Sequence, residues 1–141
     1  MHPPCELVVK HVLPVMRAMI AKELIETHNF TQTQAAEKLG ITQAAISWYL
    51  SQKRGHEDKK GYRVRVEKIQ EVGKKVKEIA NFVAGGKVPS VEAILNLCEA
   101  CVLIRSSREF CQLHMTDIGS LDFKCDICVS QDNVCSHPAK P

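Results

Sequence analysis

The chain has 141 residues, of which 45% are hydrophobic, 25% charged and 5% aromatic, and its formal net charge is +3. This composition excludes a disordered or fibrous chain and is typical of a globular protein with an aliphatic core, which suits helices better than a β-sandwich. No run approaches the ~20 apolar residues that a membrane span needs, and Pro14, Arg17 and Lys22 interrupt the apolar stretch near the N-terminus, so we expect neither a membrane segment nor a signal peptide.

The first predicted elements are two helices. Apolar residues recur at helical spacing over residues 6–28, and Pro14 is expected to bend or restart this helix because proline removes a backbone donor. A short helix over residues 32–39 follows. Thr31 is its predicted N-terminal cap, and Gly40 is expected to end it at positive φ.

Three further elements are predicted downstream. A second short helix runs from Gln43 to about Ser51 behind the cap Thr42, and residues 51–63 have the polar, glycine-containing composition of a loop or wing. An amphipathic helix is predicted over residues 65–83, followed by a boundary at "AGGKVP".

The last strongly predicted helix covers residues 91–105, with Ser90 as its cap. Beyond Arg105 the sequence indicates an irregular, cysteine-bearing segment. The final residues, 136–141, are expected to be disordered.

In residues 31–50 the size and polarity of the residues at each position suit two short helices that pack against each other. Ala35 and Ala36 are small enough for two helices to cross closely beside Gly40. Four apolar residues are expected to face inward and lock the pair: Leu39, Ile41, Ile46 and Leu50. Four others are left facing outward on the second helix, where a DNA major groove would be met: Gln43, Ala44, Ser47 and Trp48.

The outward residues have side chains that suit base contacts. Gln43 can bond an adenine edge, Ser47 a base or a phosphate, and Ala44 a thymine methyl group. The residues expected to hold phosphates or flank the reading helix are Gln32, Thr33, Thr42, Lys53 and Arg54. The alternative is an ordinary helical hairpin with solvated polar residues, against which an outward-facing Trp48 counts.

The distribution of charge agrees with an anionic partner for the N-terminal part. Residues 1–88 hold 15 Lys/Arg against 9 Asp/Glu, a net +6, whereas residues 89–141 hold 4 against 7, a net −3. Much of the excess lies in the basic run just after the second short helix: Lys53, Arg54, Lys59, Lys60, Arg63 and Arg65. Such a run can equally be a solvated surface.

Roughly residues 12–55 resemble the helix-turn-helix of the Cro and phage-repressor superfamily, also called the xenobiotic-response-element (XRE) type, because small, glycine and apolar positions all fall in register. The resemblance implies recognition by the helix that begins at Gln43. It also implies a homodimer on a palindromic operator of double-stranded DNA.

The cysteines form a second pattern, C-x2-C-x9-C-x13-C-x2-C-x6-C. Two C-x2-C pairs with a cysteine between them offer enough thiolates for tetrahedral zinc or an iron–sulfur cluster. The candidate ligands are Cys98, Cys101, Cys111, Cys125 and Cys128, while Cys135 is the least expected. Without a signal peptide, seven cysteines indicate a reducing cytoplasm, where such residues bind metal or sense redox state.

Several alternatives remain for these cysteines. Cys98 lies on the stripe formed with Ile94 and Val102 and could be a small core residue, and a disulfide switch competes with metal binding. The surplus of thiols favours an iron–sulfur cluster, whereas His114 would suit zinc as a fourth ligand. A thiol oxidoreductase using "CEAC" is disfavoured because no βαβ pattern surrounds it, and no nucleophile with its base is visible, so we expect no enzyme.

A wider resemblance covers most of the chain. The opening "PPCELVVKHVLPVMRAMIAKELIE", the helix-turn-helix pattern, "LCEACVLIRSSREFCQLH" and "CDIC" together resemble a group of predicted archaeal transcriptional regulators. In that group a repressor-type helix-turn-helix precedes a cysteine-rich C-terminal segment. The resemblance implies this architecture and DNA-binding regulation.

The sequence therefore predicts an all-α protein. Its predicted parts are a repressor-like helix-turn-helix domain over residues 1–62, a linking or dimerisation helix over residues 63–86, a cysteine-rich metal or iron–sulfur module over residues 87–135 and a flexible tail over residues 136–141. The expected function is a cytoplasmic, sequence-specific DNA-binding regulator whose cluster senses redox or iron/sulfur status. The alternative is the same regulator with a purely structural zinc site.

Overall fold

A computed structural model describes residues 4–51, 68–86 and 91–118 of the chain. Over these ranges the chain forms helices and short connections and no strand, so the predicted all-α class is confirmed. The helices are α1 (Pro4–Leu7), continued through a π-helical segment (Val8–Val12) into α2 (Leu13–His28), then α3 (Gln32–Leu39), α4 (Gln43–Ser51), α5 (Gln70–Ala84), α6 (Val91–Arg105) and α7 (Arg108–Ile118). Among the helices described, none is both long and apolar enough to cross a bilayer.

The helix predicted over residues 6–28 is confirmed, and an α-helix starts again at Leu13, beside Pro14, where a bend or restart is predicted. The π-helical segment ends at Val12, two residues before Pro14, which lies in the first turn of α2. Because proline has no N–H, the turn before it lacks one helical hydrogen bond, and a widened turn accommodates this loss. Asn29 ends α2 in the left-handed conformation (φ 57°), and its N–H bonds to the carbonyl of Leu24.

A single apolar core joins these helices. α5 packs on one side against α2 and on the other against α6. Its buried stripe consists of Val72, Val76, Ile79, Ala80 and Val83. Each large aliphatic side chain buried in this way stabilises the fold by about 1.5–3 kcal/mol. The apolar stripe of α5 is therefore buried against other helices of the same chain.

The predicted start of this helix is wrong in part. Lys68 lies in a turn, and Ile69 is the extended residue that precedes the helix (φ −80°, ψ 105°), so α5 begins at Gln70. The periodic apolar pattern continues through Ile69 because that residue packs against the core without being helical. Positions 65–67 of the prediction lie outside the described ranges.

The expectation of an irregular segment beyond Arg105 is also wrong over residues 108–118, and residues 119–141 lie outside the described ranges. After α6 the chain turns at Ser106 and Ser107 and forms the eleven-residue helix α7. The Ser107 hydroxyl accepts a hydrogen bond from the Phe110 N–H (3.2 Å), which caps the helix, and Phe110 is buried in the core. This serine cap was the missed sequence signal. It places Cys111 in a helix rather than in a turn.

One polar cluster ties α5 to α6. Lys75 Nζ lies 2.6 Å from a carboxylate oxygen of Glu99 and 3.2 Å from the amide oxygen of Asn96, both on α6, and 3.0 Å from Glu78 on its own helix. Hydrogen bonds to Glu99 first and to Glu78 second raise the pKa of Lys75 above its ordinary value. The cluster links the two helices that pack against each other most extensively.

Candidate nucleic-acid interface

The two short helices α3 and α4 pack on each other and on α2. Ala35 and Ala36 are buried, as their small size predicts for a close helix crossing. Ile46 is fully buried. The other inward-facing residues of the prediction are partly buried against the same core: Leu39, Ile41 and Leu50. The apolar side of the pair is therefore arranged as the sequence pattern predicts.

Local backbone chemistry sets the angle between α3 and α4. The Thr31 hydroxyl accepts a hydrogen bond from the Gln34 N–H (3.1 Å), and the Gln34 side chain accepts one from the Thr31 N–H (2.9 Å), which is a complete capping box. Gly40 then ends α3 at φ 65°, a conformation that favours glycine. Thr42 caps α4 by accepting the Ala45 N–H (3.1 Å). All three predicted boundary residues are confirmed.

One face of α4 is open to solvent. Gln43, Ala44 and Ser47 are exposed, and the Trp48 side chain is 56% exposed. Their spacing places them on adjoining positions of one helix face. The prediction that these four residues point away from the core is confirmed. An indole that is more than half exposed has most of its apolar surface available for a partner.

A hydrogen bond between the helices orients the first residue of this face. Gln43 donates from Nε2 to the side-chain oxygen of Gln32 at 2.8 Å. The bond uses one N–H of Gln43 and leaves its second N–H and its carbonyl oxygen, which together are the donor and acceptor that an adenine edge requires. Both residues belong to the predicted site, but their contact was not predicted. The available signal was that each is the first residue of its helix in a closely packed pair.

The beginning of α3 also presents polar groups. Gln32 is half-buried and Thr33 is exposed. The capping box uses the N–H groups of Thr31 and Gln34, so the N–H groups of Gln32 and Thr33 remain outside the cap at the positive end of the helix. The predicted contributions of Lys53 and Arg54 lie outside the described residues.

The candidate metal ligands lie on α6 and α7. Cys98 is exposed, which rules out the alternative that it is a buried core residue, while Cys101 and Cys111 are half-buried. These three cysteines are not joined in disulfides. Within the described ranges, no three side chains of His, Cys, Asp or Glu converge as a metal site. Cys125, Cys128 and Cys135 fall outside those ranges.

His114, the alternative zinc ligand, lies on α7 three residues after Cys111. Its ring stacks on that of Phe110, with the centroids 6.4 Å apart and the planes inclined by 14°. The described part of the chain therefore supplies individual thiols and an imidazole on neighbouring helices but does not complete a coordination sphere. The spacing of the two C-x2-C pairs remains the basis for the prediction of a metal site.

Comparison of the chain with protein-family models, with curated proteins and with solved structures finds no match.

Proposed function

We propose that the protein is a sequence-specific DNA-binding regulator that reads double-stranded DNA with α4. The observation that carries this proposal is the exposed face of α4 with Gln43 held at its start by Gln32. A glutamine whose amide is fixed by a neighbour presents its remaining donor and acceptor in one orientation. Such a group loses less side-chain freedom on binding than a mobile glutamine would.

The dimensions and side chains of α4 suit a major groove. A nine-residue helix is about 13 Å long and about 10 Å across, which fits a groove about 12 Å wide. Ala44 allows the backbone to approach the bases closely, and Ser47 follows one turn after Gln43 on the same face. In this proposal Gln43, Ala44 and Ser47 contact base edges, and Trp48 covers the adjoining sugar and phosphate surface.

The neighbouring helix end supplies the phosphate contacts. The backbone N–H groups of Gln32 and Thr33 and the Thr33 hydroxyl lie at the positive end of α3. The Thr42 hydroxyl accepts a bond from the Ala45 N–H, so its own hydrogen is left to donate to a phosphate. These neutral contacts position α4, and the basic residues Lys53 and Arg54 are proposed to add charge beside it.

Selection from a pool of random duplexes, followed by fluorescence anisotropy on the selected sequence, tests the proposal. Gln43→Ala is expected to weaken binding by about 5- to 150-fold, corresponding to ~1–3 kcal/mol for a bidentate base contact, and to relax preference at one base pair. Gln70→Ala is the matched control, since Gln70 is also an exposed glutamine at the first position of its helix. The proposal would be refuted if no duplex sequence were enriched from the pool at low salt, or if the two variants bound the selected duplex with equal affinity.

Salt dependence separates the phosphate contacts from the base contacts. Each lysine or arginine that neutralises a phosphate contributes about 0.9 to the slope of log K against log salt. Lys53→Gln and Arg54→Gln are therefore expected to flatten this slope by about that amount each while leaving the selected sequence unchanged.

We further propose that the cysteine-rich part binds an iron–sulfur cluster, with structural zinc as the alternative. The thiols of Cys98, Cys101 and Cys111 on adjacent helices support this, with Cys125 and Cys128 completing the set. When bound, the cluster would cross-link the C-terminal segment and supply one-electron redox chemistry. Anaerobic purification with metal analysis and a visible spectrum distinguishes the two, because the zinc protein is colourless. A protein that holds neither metal would refute both.

The proposed purpose of the metal is to regulate DNA binding. A change in the C-terminal part that alters the distance between two recognition helices changes affinity, because two half-sites demand a fixed spacing. Operator affinity is measured for the apo, reduced and oxidised protein under one salt condition. Equal affinities in the three states would contradict sensing and leave the zinc alternative.

A further inference from the structure

Helix α6 has two apolar faces, and within the part of the chain that the structure describes only one of them is buried in the core. Its inner face buries Ala100 and Ile104 in the core. On the other side Val91 is 69%, Ile94 58% and Leu95 47% exposed. A surface helix of a monomer ordinarily presents polar side chains to water at such positions.

The exposed residues form a stripe along the helix. Val91, Ile94, Leu95 and Cys98 follow one another at the three- and four-residue spacing of a single helix face, and half-buried Val102 continues it. We call these five residues the outer stripe of α6. Contiguous exposed apolar surface of this kind marks an interaction site.

The charges at the ends of α6 are self-complementary. Glu92 lies in the first turn and Arg105 in the last, and exposed Arg108 follows at the start of α7. Cys98 is the middle residue of α6, so an antiparallel copy of the helix placed about Cys98 brings Ile94 level with Val102. The same arrangement brings the acidic end of one helix level with the basic end of the other, and it opposes the helix dipoles. A parallel copy would instead bring like charges together.

We propose that in the metal-free protein the outer stripe of α6 binds the outer stripe of a second copy of this chain, in antiparallel orientation about a two-fold axis near Cys98. A two-fold interface must be complementary to itself, and the stripe with its oppositely charged ends meets this condition. The apolar stripe of α5, which the sequence offered as a pairing surface, is buried within the chain and unavailable. The inference deepens the proposed function, on which its purpose rests, because a palindromic operator requires two copies of α4.

Equilibrium sedimentation of the metal-free protein without DNA tests the interface directly. One pair of fifteen-residue helices is small beside the roughly 800 Å² per partner of a standard interface, so we expect a dimer that dissociates at about micromolar concentration. The measurement should therefore span about 1 to 100 µM. A chain that stays monomeric throughout this range would overturn the proposal.

Ile94→Glu is expected to make the protein monomeric over the same range, because it buries a charge against the partner's stripe. The matched control is Val9→Glu, which introduces the same charge at an apolar residue that is 65% exposed on another helix. Circular dichroism shows whether both variants remain folded. If Ile94→Glu dimerises as well as Val9→Glu, the stripe is not the interface.

Paired charge variants test the antiparallel orientation without changing a cysteine. An equimolar mixture of the Ile94→Glu and Val102→Lys chains should sediment as a dimer, because antiparallel pairing sets the glutamate level with the lysine, whereas each variant alone should stay monomeric. A mixture that stays monomeric although the wild type dimerises would overturn the proposed geometry. A monomer in which Cys98 resists N-ethylmaleimide would show that another segment of the same chain covers the stripe, which would also overturn the proposal.

The proposed DNA-binding function and the proposed α6 interface can be refuted independently of each other. Gln43→Ala should weaken selective DNA binding by about 5- to 150-fold and leave the sedimentation equilibrium unchanged, because its side chain is absent from the stripe. Ile94→Glu should lose tight binding to a palindrome and keep weak binding to a single half-site. A dimer without DNA binding therefore refutes only the proposed function, and half-site binding by a wild-type monomer refutes only the interface.

Discussion

Gln43 and Gln32 are joined by a 2.8 Å hydrogen bond between the first residues of two successive helices. The bond links the exposed face of α4 to the N-terminus of α3, eleven residues earlier in the chain. In the proposed complex the side chain of Gln43 contacts a base, and the backbone N–H of Gln32 contacts a phosphate. The bond therefore connects the residue of a proposed base contact to the residue of a proposed phosphate contact.

The first prediction concerns the coupling between these two residues. Gln32→Ala removes the acceptor that orients Gln43, so it should weaken selective DNA binding although its own side chain reads no base. Because both residues act through one arrangement, the double variant should cost less than the sum of the single variants, by about 0.5–1.5 kcal/mol. Anisotropy titrations of the four proteins on one duplex measure this difference.

Thr33→Ala provides the comparison for this double-mutant cycle of Gln32 and Gln43. Thr33 is exposed beside Gln32, and no hydrogen bond links its side chain to Gln43 in the described residues. Its combination with Gln43→Ala should therefore be additive within about 0.3–0.5 kcal/mol. Additivity in both cycles would mean that the Gln32–Gln43 bond has no influence on recognition.

The second prediction contrasts two glycines. Gly40 has φ 65° and open space where a Cβ would be, so Gly40→Ala should destabilise the protein by about 1–2 kcal/mol through backbone strain alone. Gly73 also has open space around it but lies inside α5 without positive φ, so Gly73→Ala should stabilise by about 0.5–1 kcal/mol. Urea unfolding of both variants measures the opposite signs.

Gly40→Asn refines this test, because asparagine tolerates the left-handed conformation better than alanine does. Its stability should lie between those of wild type and Gly40→Ala. If Gly40→Ala were as stable as wild type, the left-handed turn between α3 and α4 would not exist in solution.

The third prediction concerns the attachment of α4. Ile46 is the fully buried residue that holds this helix on α2 and α3, so Ile46→Ala should cost about 2–5 kcal/mol and Ile46→Val about 0.5–1.5 kcal/mol. Exposed Val9→Ala should stay within about 0.5 kcal/mol of wild type. Thermal unfolding checks the order of the three variants. Equal effects at Ile46 and Val9 would show that α4 is not packed on the core.

The sequence predicted the elements whose boundaries are set locally. Thr31, Gly40 and Thr42 act within one turn of chain, and their roles follow from side-chain chemistry and φ without knowledge of the rest of the fold. The outward position of Trp48 was predictable for a similar reason, since helical period and the inward Ile46 determine it. The exposed reading face of the candidate site therefore follows from local rules.

The features that sequence reasoning missed depend on distant parts of the chain or on a weak cap. The Gln32–Gln43 bond forms because tertiary packing brings two helix ends together. Both α5 and α6 carry apolar residues that could pack in a core. Tertiary packing decides that the stripe of α5 is buried between α2 and α6 while the outer stripe of α6 stays exposed. α7 was missed because its Ser107 cap follows α6 so closely that the break looked like the start of irregular chain.

The last prediction concerns Lys75 and alkaline pH. Its pKa is raised by its hydrogen bonds to Glu99 and Glu78, above the ordinary value of 10.5. A cation whose folded-state pKa exceeds its unfolded-state pKa stabilises the fold fully below the unfolded value. That stabilisation is lost as pH rises through the folded value. Wild type should therefore lose, above pH 10.5, an increment of stability that Lys75→Met lacks at every pH.

Urea unfolding of wild type and Lys75→Met between pH 8 and pH 11 measures this increment. The difference in unfolding free energy between the two proteins should be constant at the lower end and shrink toward the upper end, since deprotonated Lys75 no longer pairs with Glu99. Lys74→Met removes the same charge from an exposed position of α5 and controls for the change in net charge. A difference that grew with pH would mean that the contact between Lys75 and α6 does not stabilise the fold, because the sign of the linkage would then be reversed.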